Sequence, residues 1–338
     1  MKKILVHFLK NHCSVLRLYN LFFQIKNKKA FYQENERRKT ISFFDYKELA
    51  RPIPFYPIEL HKDSNYYGYA YEMKKYAGID KTNLFLEHGL FLGNRIFAHE
   101  GLNSVKSVVC MSENRVESFK QNHLEKLIIP VGPYIYYAEP ILSETEYSEM
   151  KKKLGKVLLV MPVHSGSKVG VSFDQKVLLD FVEDKRKDYD TVLVCLYFRE
   201  IMNAPQLVTD YEKMGYKVVC AGHWFDLSFV RRLKSIIMLS DYVVSNSHGT
   251  NTGFCTCLGK PQTIVKDDNL IKDFQNYYSD EIKKIRDQQV EEIESAFREY
   301  SMDITETQKK IVDKYWGVSC IKTPEELYKV FIEIANKY

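Results

Sequence analysis

Between positions 240 and 265 the chain reads SDYVVSNSHGTNTGFCTCLGKPQTIV. The apolar run 242–244 predicts a buried strand. After it come eight consecutive small or polar residues, Ser245-Asn246-Ser247-His248-Gly249-Thr250-Asn251-Thr252. A helix is expected over 253–258, stopped by Gly259-Lys260-Pro261 ahead of another apolar run. Strand, polar loop, helix and strand form a βαβ unit, which opens a helix N-terminus at the carboxyl edge of a strand. The unpaired N–H groups and the positive end of the helix dipole suit an anion there. Small residues let a phosphate approach the backbone, and hydroxyls and amides add donors. One Ser or Asn at such a place is an ordinary helix cap; eight in a row around a histidine point further. Ser245, Asn246, Ser247, His248, Gly249 and Thr250 are therefore expected to hold the phosphate of a nucleotide.

Ligands of open α/β sheets bind beyond the carboxyl ends of the strands. The other predicted strand ends carry Glu87-His88-Gly89 followed by Asn94 and Arg95, then His164-Ser165, Arg199-Glu200 and His223-Trp224. Four of the nine histidines, His88, His164, His223 and His248, fall at such edges, which is hard to assign to chance. His164 and Ser165 offer donors to a phosphate. His223 and Trp224 offer a flat surface and hydrogen bonds to a nucleobase. His88 beside Glu87 is a histidine–carboxylate pair suited to general-base work near neutral pH, although such a pair also occurs at strand ends with no chemistry. Gly89, Asn94, Arg95, Arg199 and Glu200 are expected to line the remaining cleft.

Two series of elements would position these groups. In the first, strands are expected at 83–87, 107–111 and 127–130, with helices at 67–76 and 113–123. A charged helix at 143–154 connects to a second series. Its strands are 156–163, 191–197, 217–220 and 242–244, with helices at 174–185, 206–214 and 229–239. Continuous apolar strands between amphipathic helices argue for parallel sheets covered on both faces. The expected fold class is α/β, two Rossmann-like domains facing a central cleft, with helical extensions at both ends. The expected limits are 1–150, 151–320 and a last helix within 321–338, with Thr323 as its cap and Pro324 at its first position. Arg51-Pro52-Ile53-Pro54-Phe55-Tyr56-Pro57 reads as an extended loop.

The length of 338 residues fits two domains of ordinary size. A net charge of +5 is mild and gives no argument for nucleic acid as a partner. Its distribution is uneven: residues 1–39 hold ten Lys or Arg and only Glu34 and Glu36 as acids, interleaved with apolar residues. This segment is either a helix packed on its domain with a solvated basic face or a basic amphipathic helix in peripheral contact with an anionic membrane. No apolar run approaches the length of a membrane span, and the N-terminus does not read as a signal peptide. Seven cysteines in odd number and scattered spacing suit a reducing cytoplasm. Cys255 and Cys257 have no second pair beside them, so no zinc site is expected.

A histidine-glycine dipeptide ending an N-terminal strand (His88-Gly89) and the later S-D-Y-V-V-S-N-S with G and L-G-K-P resemble glycosyltransferases of the GT-B fold, nearest to bacterial enzymes that build capsule, lipopolysaccharide or teichoic-acid polymers. The likeness covers roughly 60–265. It departs from the family at Ser165, where a proline often follows the histidine. The resemblance implies a nucleotide-sugar donor, a glycan or lipid-linked acceptor, and inverting, metal-independent transfer without a cofactor. It further implies that the last helix crosses back to the first domain. The same architecture serves sugar-nucleotide 2-epimerases, which need several carboxylates; Glu87, Glu100 and Glu113 are the first-domain candidates. A non-catalytic nucleotide-sugar-binding subunit is the third reading.

Overall fold

The computed structural model describes residues 11–80, 82–164, 170–172, 175–267, 270–273 and 279–337. Near the start of the described residues lies a 27-residue helix, α1 (Cys13–Lys39). Its end is locked into the body by Arg38, which is fully buried, donates to the Leu49 and Arg51 carbonyls and lies 3.5 Å from the buried Asp226 carboxylate. Arg232 completes the cluster, donating to Asp226 at 2.8 Å and to the Arg38 carbonyl at 2.6 Å. A short helix α2 (Tyr46–Ala50) follows, then the Pro-punctuated stretch, extended as its sequence dictates. A 3-10 turn (Lys62–Asn65) leads into α3 (Tyr69–Tyr76).

The first sheet is small. β1 (Ser107–Cys110), α4 (Glu113–Gln121) and β2 (Leu127–Pro130) form one parallel crossover, with Ser107 opposite Leu127. The strand expected at 83–87 is reduced to one parallel bridge, Leu86 to Val109. Glu87 N–H and the Phe85 carbonyl bond Val109 on that side. On the other side the Leu84 N–H goes to the Glu59 carboxylate at 2.7 Å and the Leu86 N–H to the Ser64 hydroxyl at 3.1 Å. Side chains thus take the donors that a further strand would need.

Helix α5 (Glu144–Leu154) opens with a capping box between Ser143 and Glu146 and leads into the second half. There the order is β3 (Val157–Val160), β4 (Gly170–Ser172), α6 (Gln175–Arg186), β5 (Thr191–Cys195), α7 (Phe198–Asn203), α8 (Pro205–Lys213), β6 (Lys217–Val219), α9 (Phe229–Leu239), β7 (Tyr242–Ser245), α10 (Thr250–Cys257) and β8 (Gln262–Ile264). β9 (Ile271–Asp273) pairs antiparallel with β4 as a separate ribbon. Then come α11 (Asp280–Ala296), α12 (Glu306–Trp316) and α13 (Pro324–Ala335). Thr323 caps α13 and Pro324 opens it. The five-stranded sheet is parallel throughout, in the order β6-β5-β3-β7-β8. β3 is buried along its whole length, which fits its unbroken apolar sequence. Strand order reverses between β3 and β7, and that reversal defines the place where a doubly wound sheet opens a crevice.

One apolar cluster joins the two halves, running from Tyr69 and Met73 through β3 and β5 to Trp316 and Phe331. Trp316 is fully buried against α10, where a Cβ on Gly253 would fall inside its ring. Beyond Trp316 the chain runs along the first half: Lys322 N–H donates to Tyr137 at 3.0 Å, and Tyr76 donates to the Lys322 carbonyl at 3.4 Å.

Candidate active site between the two sheets

The loops after β3 and β7 flank the crevice at the strand-order reversal. They are clipped together by Val163 N–H, which donates to Asn246 Oδ1 at 2.8 Å. That bond fixes the orientation of the amide and leaves Asn246 Nδ2 as a buried donor with no hydrogen-bond partner among the described residues. A buried donor left unmade costs about 1–3 kcal/mol, so a ligand oxygen would relieve it. The rest of the 245–250 turn is largely occupied in holding its own shape. Ser245 Oγ donates to the Ser247 carbonyl and Ser247 Oγ to the His248 carbonyl, both at 3.2 Å. Gly249 N–H donates to Thr252 Oγ1 at 3.2 Å. His248 Nδ1 lies 2.6 Å from Glu294 on α11. Helix α10 starts at Thr250, three residues before the sequence places it. The polar loop therefore supplies the first turn of the helix rather than only its approach.

The first half meets this turn directly. Leu90 N–H donates to Thr250 Oγ1 at 3.0 Å, and the Gly89 backbone passes so close that an added Cβ would sit 3.1 Å from the same oxygen. Trp316 braces Thr250 from behind, donating to its carbonyl at 3.1 Å. The His88-Gly89-Leu90 loop is thus held against the N-terminus of α10. Burial holds the His88 ring below the ordinary histidine pKa; the Asp63 charge opposes this, and the Glu87 charge does so less. An unprotonated imidazole is the form a general base needs.

Glu87 does not lie open beside His88. Its Oε1 accepts from Arg115 Nε at 2.8 Å and from a terminal guanidinium nitrogen at 2.5 Å, and the residue is buried. Glu100, also buried, lies 3.5 Å from the same guanidinium. Burial and the Glu87 charge push the Glu100 carboxyl up to about 9. The three groups hold one negative charge, one positive charge and one proton. Asp63 is the carboxylate that sequence reading missed: it sits in the 3-10 turn, 3.7 Å from His99, and acts electrostatically on His88 and Tyr66. No motif marks it, because a polar residue in a short turn is ordinary in sequence.

Aromatic rings join the remaining candidates. His88 packs edge-on to Tyr66 at 5.3 Å, and Tyr66 stacks on Trp224 at 5.0 Å. The Arg199 guanidinium sits 4.5 Å from the Trp224 ring centre, and no carboxylate pairs with it among the described residues. His223 is buried, and burial, with smaller contributions from Arg38 and Arg199, pushes it down to about 3. Its Nδ1 accepts from Phe225 N–H at 3.2 Å, so the ring is a neutral packing partner of Phe198. His164 is exposed and stacks on Tyr197 at 4.2 Å. Tyr197 in turn shares a 3.1 Å hydroxyl contact with Tyr67. Tyr67 adopts a left-handed backbone (φ 62°), its N–H bonding the Trp224 carbonyl at 2.6 Å. Such strain in a tyrosine persists only where neighbours over-determine it, and here the constraint couples the two halves. Tyr66, Tyr67 and Tyr197 carried no sequence signal beyond a high aromatic content.

Other candidates lie apart from this cluster. Asn94 bonds Gln121 and Ser118 of α4, and the Arg95 carbonyl accepts from Arg115, so both anchor the loop's far end. Glu200 lies on α7 beside Arg199. Ser165 lies outside the described residues.

No family model matches the chain, and no curated protein matches it. Among solved structures it is similar to the UDP-GlcNAc 2-epimerase from Neisseria meningitidis bound to UDP-GlcNAc, with 14% identity and a TM-score of 0.36 over 71% of this chain and 64% of that one. A putative UDP-N-acetylglucosamine 2-epimerase from Listeria monocytogenes shows 9% identity and a TM-score of 0.40 over 69% and 59%. A variant of the wall teichoic acid polymerase TagF shows 13% identity and a TM-score of 0.40 over 76% and 68%. The chain spans less than two thirds of the length of either epimerase.

Proposed function

We propose that the chain is a nucleotide-sugar enzyme, and specifically a glycosyltransferase that moves a sugar to a hydroxyl acceptor with inversion. One observation carries the reading: Leu90 N–H bonds Thr250 Oγ1 at 3.0 Å, so His88 and the helix N-terminus at the strand-order reversal share one junction. In this reading the nucleotide phosphates lie along the start of α10. The first-turn amides of the helix, the Asn246 Nδ2 donor and the positive charge of Arg199 meet the developing negative charge on the leaving group. His88, kept unprotonated by burial, takes the proton from the acceptor hydroxyl as oxygen attacks the anomeric carbon and the sugar–phosphate bond breaks. Asp63 stabilises the resulting imidazolium, a part that Glu87 cannot play freely while bound to Arg115. No step in this scheme calls for a divalent ion or a cofactor. A surface-glycan precursor on a lipid is the proposed acceptor, reached from the inner side of a membrane.

The epimerase reading needs carboxylates facing the anomeric carbon. Glu87 and Glu100 are buried around Arg115, which favours transfer instead. A thermal-shift panel of CMP, CDP, UDP and GDP, with and without magnesium, tests donor class and metal dependence together. Stabilisation by one nucleotide regardless of magnesium is expected; no response to any of them refutes the reading. Turnover of UDP-N-acetylglucosamine without an acceptor would assign the epimerase. Binding without turnover on lipid-linked glycan extract would assign a non-catalytic subunit.

A further inference from the structure

Over its first half, helix α1 turns amides toward the protein and leaves an apolar stripe outside. Three amides face the protein beside Phe23, whose ring packs on Phe55 at 5.4 Å: Asn20 Nδ2 donates to the Leu60 carbonyl at 2.9 Å, Gln24 Nε2 to the Pro57 carbonyl at 2.9 Å, and Asn27 Nδ2 to the Phe55 carbonyl at 2.7 Å. Their spacing of four and three residues puts them on one stripe. Their partners are carbonyls of the proline-rich extended stretch and of Leu60 just after it, which no strand or helix satisfies. The apolar side chains point outward: Leu18 is 70% exposed, Leu21 48%, Phe22 60% and Ile25 76%. These four follow the i, i+3, i+4, i+7 pattern of a single helical face. At about 3.6 residues per turn the two stripes lie on nearly opposite sides of the helix. The helix cannot roll to bury the apolar stripe, because three amide bonds and the buried Arg38 cluster fix its rotation.

A contiguous apolar face left open this way is an interaction surface. Its charge selects the occupant. Arg17, Lys26, Lys28 and Lys29 border the apolar stripe and are exposed, and the first acid in the sequence is Glu34. Lys2, Lys3 and Lys10 add to the same segment in sequence. Basic residues flanking a Leu/Phe/Ile ridge match an anionic lipid surface, where the ridge enters the acyl boundary and the ammonium groups meet the headgroups. Among the described residues no helix is long and apolar enough to cross a membrane. We propose that the outward face of α1, centred on Leu18, Leu21, Phe22 and Ile25, lies flat on an anionic bilayer and docks the protein peripherally. This stands on α1 alone and does not depend on the transfer reading.

The test is co-sedimentation of the full chain with vesicles of phosphatidylcholine alone and of phosphatidylcholine with phosphatidylglycerol. The chain is expected to pellet with the anionic vesicles and to be released by salt. Phe22→Ser/Ile25→Ser should weaken binding at least about tenfold, with an unchanged melting temperature because both sites are exposed. Lys28→Glu/Lys29→Glu gives an independent arm, with a loss of roughly tenfold or more on the anionic vesicles. A wild-type chain that stays in the supernatant with both vesicle types overturns the proposal. So does equal pelleting of wild type and both variants. A dimer or a complex with another protein that Phe22→Ser/Ile25→Ser dissolves, without vesicle binding, reassigns the face and overturns it as well.

Discussion

Replacing Arg115 with methionine removes the one cation shared by two buried carboxyls. Arg115, Glu87 and Glu100 are each no more than 3% exposed. Glu100, pushed up to about 9, already carries a proton at neutral pH, while Glu87 pairs with the guanidinium. Without the guanidinium the pair must take up a second proton to stay buried. Holding a carboxyl protonated costs about 1.4 kcal/mol for each pH unit above its ordinary value of ~4.3. At pH 7 this is about 4 kcal/mol, within the range of about 3–5 kcal/mol for breaking a buried ion pair. At pH 5 it is about 1 kcal/mol. The sign follows from proton binding: the folded variant holds the extra proton, so its deficit grows as pH rises. Urea denaturation of Arg115→Met against wild type at pH 5 and pH 7 reads both values. Glu87→Gln/Arg115→Met, which removes both charges, should recover about 2 kcal/mol or more at pH 7. A single variant within about 1 kcal/mol of wild type at pH 7, or a double variant no better than Arg115→Met, refutes the reasoning.

Three further outcomes are expected. Gly253→Ala should cost about 1–3 kcal/mol by overpacking, since its Cβ would enter the Trp316 ring, and should shift tryptophan fluorescence in a Trp224→Phe background; an unchanged urea midpoint and spectrum would speak against it. The unfolded chain protonates His223 below ~6.5, whereas the folded chain, with that ring held down to about 3, does not. Stability from His223 is therefore lost as pH falls from ~6.5 toward 3, by about 2 kcal/mol at pH 5. His223→Asn should shrink the difference in stability between pH 7 and pH 5 by that amount in paired urea titrations, and an unaltered difference would sink the assignment. His88→Gln should lower sugar transfer at least about 100-fold while nucleotide-induced thermal stabilisation persists; full activity would remove the imidazole from the mechanism.

Local periodicity made much of this molecule readable. The helix at 229–239 and the strand at 127–130 stand where the apolar pattern puts them. Runs such as VLLV and TVLVC announced parallel strands because both faces of such a sheet are covered. Thr323 and Pro324 announced α13 through capping chemistry. Reading was weaker where partners come from afar. The strand at 83–87 has the apolar content of β1, yet Glu59 and Ser64 take its outer donors, and nothing in residues 83–87 encodes that.

The sequence by itself determined the α/β architecture, the polar turn after β7 and the histidines at strand edges, because period, turn chemistry and caps act between residues a few positions apart. Only the tertiary structure decided which groups meet. It paired Glu87 with Arg115 rather than leaving it to His88, placed Asp63 and the tyrosines around the cleft, and turned the amides of α1 inward and its leucines out. The physical reason is that burial and charge pairing are set by residues far apart in sequence, 160 positions between Leu90 and Thr250 and 246 between Tyr76 and Lys322, and that information exists only once the chain has folded.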